Sequence, residues 1–155
     1  MKKKNNLITF NYPGFTLIEL IVVLALFSFL FAFSFPSLAH LRSTFVGKTV
    51  VQKISSQIRI AKIEALNNGK TTKIVFDIAR NKYIYTDSSG KSTHSLLPDE
   101  VILYRTNFPL NTLRFYSTGT PSCGGTITLR IANHLKYIII TPVTGRVRID
   151  DKPPS

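Results

Sequence analysis

Across 155 residues the chain has no tryptophan, one methionine and one cysteine, Cys123. A lone thiol excludes an internal disulfide framework and any Cys-rich zinc module. Beside Gly124 and Gly125, Cys123 reads as a small loop residue, and an intermolecular disulfide outside the cytoplasm stays open. Acidic residues are scarce as well: 8 Asp plus Glu stand against 20 Lys plus Arg, for a net charge of +12. With 44% hydrophobic residues and a mean hydropathy of +0.12, the chain can bury a core, which excludes a disordered basic tail. Its length allows one modest domain.

Catalytic signatures are also missing. Gly47-Lys48-Thr49 and Gly69-Lys70-Thr71 each resemble the end of a P-loop, but the earlier glycines would fall at Arg42 and Glu64, so neither can cradle phosphates. Ser88 and Lys91 have the spacing of a β-lactamase nucleophile pair, yet they lie in a polar Ser-Gly turn without the accompanying motifs. His40, His94 and His134 are scattered, without paired ligands. The expectation is no enzyme, no cofactor and no metal.

What is present is unevenly spread. Lys2, Lys3 and Lys4 open the chain, Glu19 is the sole charge between Lys4 and Arg42, and the remainder carries 17 basic against 7 acidic residues. Between them, Phe15 to Phe35 (FTLIELIVVLALFSFLFAFSF) is an apolar run of 21 residues. As a helix it would be about 31 Å long, matching a bilayer core of about 30 Å. Lysines ahead of it keep the N-terminus cytoplasmic and place the rest outside. A secretory signal peptide is one reading, with Ser37-Leu38-Ala39 as the cleavage site, but its apolar core is usually about 7–15 residues. A plain single-pass anchor is another, and it leaves Glu19 unexplained, since an acid at full depth in lipid costs about 2.5 kcal/mol or more.

Pro13-Gly14-Phe15-Thr16-Leu17-Ile18-Glu19-Leu20, after a lysine-rich leader and before the apolar run, resembles the class III leader of type IV pilins and pseudopilins. The resemblance implies that a prepilin peptidase cuts between Gly14 and Phe15 and N-methylates Phe15. It further implies that Glu19 neutralises the new amine of a neighbouring subunit during filament assembly. Physically, a carboxylate and an amine buried together are each less costly than either alone, and an acid near a helix N-terminus is favoured in any case.

Pro36 follows the run at once and is expected to kink the helix. Apolar spacing of three and four then resumes through Leu38, Leu41, Phe45, Val51, Ile54, Ile58, Ala61 and Ala65, with Gly47 as a weak point and Asn67-Asn68-Gly69 as the stop. From Phe15 to Asn68 the helix would be roughly 80 Å long. Beyond Gly69 the period becomes two. A hairpin is expected over Lys73–Ile78 and Tyr83–Tyr85, turning at Arg80-Asn81, with loops at Asp87–Gly90 and Pro98-Asp99. Further strands are expected at Val101–Arg105, Leu113–Tyr116, Thr126–Ile131, Tyr137–Thr141 and Arg146–Asp150. The fold class is therefore α+β: a long N-terminal helix on an antiparallel sheet or small sandwich. The expected parts are a cleaved leader (1–14), a transmembrane or filament-core helix (15–36), an amphipathic half (37–69) and a globular β domain (70–155).

Gly125-Thr126-Ile127-Thr128-Leu129 and Thr144-Gly145-Arg146-Val147-Arg148 resemble the GspH/FimT group of minor pseudopilins and minor pilins. Ile60 to Ala65 is similar to that group's Ala-Arg-x-x-Ala segment, with Lys62 in the arginine's place. The resemblance implies a structural filament subunit of type II secretion or a type IV pilus, partnered by prepilin peptidase, other pilins and the cytoplasmic membrane. The alternative is a DNA-binding minor pilin serving natural transformation, with Arg130, Arg146 and Arg148 as candidate anion-binding residues, because guanidinium groups suit phosphates.

Overall fold

The computed structural model describes residues 14–154, with the side chains of 32–41 outside the description. The lysine-rich segment therefore lies outside the described residues. The chain divides into two compact units that meet between Ala39 and His40.

Helix α1 spans Leu17–Asn68. Its start is fixed locally: the Thr16 carbonyl accepts from the Leu20 amide at 3.1 Å, and the Thr16 hydroxyl accepts from the Glu19 amide at 3.3 Å. Thr16 is thus the N-cap. Every described side chain from Gly14 to Phe31 is exposed, although most are large and apolar. Ser28 returns its hydroxyl to the Leu24 carbonyl at 2.8 Å, which satisfies that donor within the helix. Among the described residues no helix is long and apolar enough to cross a membrane. Pro36 lies inside the helical span, and its side chain is among those outside the description.

In the second unit α1 buries Val50, Val51, Ile54, Ile58, Ala61 and Ala65. Phe45 departs from the expected stripe and is 67% exposed. Nine residues before Ile54 is two and a half turns, which places Phe45 on the opposite side of the helix. Val46 packs on the core in its stead. Nor does Gly47 weaken the helix: a Cβ there would run into the side chain of Ile131, so glycine permits the close approach of helix and sheet.

Eight strands follow: β1 (Thr72–Asp77), β2 (Lys82–Thr86), β3 (Ser92–Leu96), β4 (Val101–Thr106), β5 (Thr112–Phe115), β6 (Gly125–Ile131), β7 (His134–Ile140) and β8 (Val147–Asp150). They form two four-stranded sheets of order β3-β2-β1-β5 and β4-β6-β7-β8, antiparallel throughout. Strand β3 is absent from the sequence expectation. It is a mostly exposed edge strand held to β2 through backbone pairing, so it has no apolar alternation to read.

Inward residues of both sheets join the helix stripe in one core, including Ile74, Phe76, Leu113 and Phe115 from the first sheet and Leu103, Ile127, Leu129 and Ile138 from the second. Asn81, at the hairpin turn with φ 48°, ties the sheets together. Its amide donates to the Val101 carbonyl and its side-chain oxygen accepts from the Leu103 amide, both at 2.8 Å.

Candidate functional site

At the N-terminal motif, Gly14 has open space around it and the Phe15 side chain is 78% exposed. Glu19 sits three residues after the N-cap, so Thr16-Leu17-Ile18-Glu19 has the Thr-x-x-Glu spacing of a capping box. That spacing is independent of any partner subunit, and the reading of the sequence missed it because the acid was weighed against lipid, the freed amine and the helix dipole but not against Thr16. In the first turn the carboxylate also meets the positive end of the helix dipole.

At the other end of α1, hydrogen bonds at Ala61, Lys62, Glu64 and Asn68 fasten the helix to the β domain, that of Asn68 running from its side-chain amide to the Ser88 hydroxyl at 2.7 Å. The Ala61 carbonyl accepts from the buried Thr72 hydroxyl at 2.9 Å. Lys62 Nζ donates to the Thr144 carbonyl at 2.6 Å. Glu64 accepts from the Tyr85 hydroxyl, from the Ser88 amide at 2.9 Å and from the Ser88 hydroxyl at 2.8 Å. The Tyr85 hydrogen bond, followed by that of the Ser88 amide, holds the Glu64 carboxyl below its ordinary pKa, and partial burial opposes them. Burial, then the Glu64 hydrogen bond and charge, push the Tyr85 hydroxyl well up.

Lys62 connects the two segments that carry the subgroup resemblance. The Thr144 carbonyl it holds belongs to the turn that delivers Arg146 and Arg148. Gly145 has φ +60°, and a Cβ there would lie 3.1 Å from the Phe115 ring, so the turn is set by glycine and by packing against β5. Along the segment that follows, Arg146 and Arg148 are exposed, whereas Val147 and Ile149 turn inward and pack on the core. Arg148 pairs with Asp150 at 3.5 Å; among the described residues Arg146 has no ion-pair partner.

Arg130 stands apart from this pair. It lies on β6 opposite Leu135 of β7, while Arg148 lies opposite Ile139 at the other end of β7, so the register separates them by one whole strand and several residues. Arg130 covers the Tyr104 ring at 5.6 Å instead.

Two family models match the chain. The prokaryotic N-terminal methylation motif matches residues 10–35, and the type II transport protein GspH model matches residues 50–145. The chain belongs to the GspH family.

Within that family, the methylation motif covers the N-cap, Glu19 and the apolar run, and the GspH match takes in the buried helix stripe, strands β1 to β7 and the Gly145 turn, ending before β8. Among solved structures, the minor pseudopilin EpsH from the type 2 secretion system of Vibrio cholerae is similar, with 12% identity and a TM-score of 0.55 over 68% of this chain and 96% of EpsH. The type IV minor pilin FimU of Pseudomonas aeruginosa is similar as well, with 13% identity and a TM-score of 0.51 over 69% of this chain and 88% of FimU. At these identities the likeness is one of fold. No curated protein matches the chain.

Proposed function

We propose that the chain is a minor pseudopilin or pilin whose precursor is cut between Gly14 and Phe15 by prepilin peptidase, N-methylated at Phe15 and built into a filament. The observation that carries this reading is the pairing of an exposed apolar helix with a methylation motif at its head. Exposed side chains such as Leu17, Ile18, Leu24 and Phe27 need an apolar environment, which the cytoplasmic membrane supplies before assembly and neighbouring helices supply after it. The sequence run to Phe35 has the length of a membrane span, with the leader in the cytoplasm and the β domain outside. Glu19, one turn from the freed Phe15 amine, is suited to compensate the amine of an adjacent subunit and set axial register. Pro36 is suited to bend the helix between its apolar and amphipathic parts.

Replacing Gly14 with leucine tests the peptidase step. The variant should accumulate as uncut precursor in the membrane fraction, and normal processing would count against the assignment.

A second reading, a DNA-capturing minor pilin, is favoured by the exposure of Arg146, just before the edge strand β8, and of Arg148 on it, with Val147 turned inward between them. The double variant Arg146→Ala with Arg148→Ala should then weaken DNA binding and flatten its salt dependence. A wild-type affinity that does not vary with salt, or a variant affinity equal to that of the wild type, rejects this reading without touching the first.

A further inference from the structure

The outer face of the first sheet carries a charge arrangement that the packing of the domain does not account for. Along β1, Thr72, Ile74 and Phe76 point into the core, which puts Lys73, Val75 and Asp77 on the other face. On β5, Leu113 and Phe115 are buried and Arg114 is exposed. The register sets Lys73 directly opposite Arg114. Side chains opposed in this way have Cβ atoms about 4.5–5.5 Å apart, and like charges there repel.

Nothing within the domain relieves that repulsion. Among the described residues neither Lys73 nor Arg114 has an ion-pair partner, and Asp77 on the same face is engaged by Arg80 and Lys82. Arg114 is held in place on its edge strand: its amide donates to the Ser122 hydroxyl at 3.3 Å, and its carbonyl accepts from the Ser122 amide at 2.8 Å. The same cross-strand row continues through Thr86 to Ser92, whose hydroxyls are 3.0 Å apart. Lys73, Arg114, Thr71 and Thr86 line a groove of ≈ 490 Å³ beside the Asp87–Gly90 turn. Asp87, the carboxylate in that lining, turns Oδ1 to the Ser89 and Lys91 amides and the Ser89 hydroxyl, so it serves the turn.

We propose that Lys73 and Arg114 form a phosphate-binding site on the outer face of this sheet. Two adjacent positive charges match a dianionic inorganic phosphate, or the closely spaced monoanionic diesters of a strand, better than a single carboxylate, and the row offers a guanidinium fork, an ammonium and a neutral hydroxyl to a tetrahedral oxyanion. The site is separate from Arg146 and Arg148, which belong to the edge of the other sheet. It stands whether or not that edge binds DNA. The phosphate has two possible sources, free inorganic phosphate and the diester groups of a nucleic-acid strand.

The test uses the full chain in detergent micelles. Thermal unfolding is followed in phosphate and in chloride of equal ionic strength, and binding of a labelled single-stranded oligonucleotide is measured in parallel. Phosphate is expected to raise the Tm of the wild type. Lys73→Gln and Arg114→Gln should each abolish that rise and, with the repulsion gone, raise Tm in chloride by about 1–4 °C. Lys53→Gln, an exposed change on α1, should alter neither result. If the two groove variants also bind the oligonucleotide at least tenfold more weakly, a nucleic-acid strand is the source. If only the response to inorganic phosphate is lost, free phosphate is the source. An equal phosphate-dependent rise in wild type and variants, no rise in the wild type, or equal protection by a glutamate-rich peptide overturns the proposal.

Discussion

Glu64 gathers donors from Tyr85 and Ser88, which lie 21 and 24 residues along the chain, and so staples the end of the helix to the β2–β3 hairpin. Because its folded pKa is depressed from the ordinary 4.5, its contribution to stability is fully present above that value. The contribution is lost as pH falls through the lower, folded value. Glu64→Gln should cost about 1–2 kcal/mol at pH 7. Below pH 4 the gap to wild type should narrow, as read by denaturant midpoints across pH; a gap that stays constant would exclude an ionised Glu64 as the staple. None of this was legible in the sequence, where no local pattern ties Glu64 to Tyr85 or Ser88. Glu19 shows the complementary case. An acid inside an apolar run drew attention at once, while its place in a capping box was hidden in the same four residues.

Elements were read well wherever burial writes a period. The buried helix stripe from Val51 to Ala65 and the β1–β2 hairpin follow from periods that packing enforces, and the helix end at Asn68 from the Asn-Asn-Gly stop. Strand β3 and the exposure of Phe45 escaped, because an exposed edge strand and an apolar residue on the solvent side of a helix leave no such trace. The two-sheet arrangement, with β1 paired to the distant β5, rests on contacts that no local pattern reports. Gly47 gives a test with a decisive sign. Glycine to alanine inside a helix normally stabilises by about 0.5–1 kcal/mol. Here the added methyl meets Ile131, so Gly47→Ala should destabilise by about 1–3 kcal/mol in equilibrium unfolding, and Ile131→Ala in the same chain should recover part of the loss. Stabilisation by Gly47→Ala would mean that helix and sheet do not approach closely at that point.

At the scale of the whole molecule, the chain joins a helical segment with an exposed apolar surface, in which Glu19 is the sole charge between Lys4 and Arg42, to a remainder that carries 17 basic against 7 acidic residues. That division was legible from composition, because hydropathy and charge are segregated along the sequence. The resemblance was legible in the motif around Gly14, Phe15 and Glu19, which lies within the segment matched by the prokaryotic N-terminal methylation motif. The basic pair Lys73 and Arg114 was not legible, since only the pairing of strands far apart in sequence brings the two together. The most direct check on the account is the N-terminal mass of the native polypeptide purified from its membrane. N-methylated phenylalanine at position 15 is the predicted result; a chain that still begins with Met1 and its lysines, or one cut near Ala39, would contradict it.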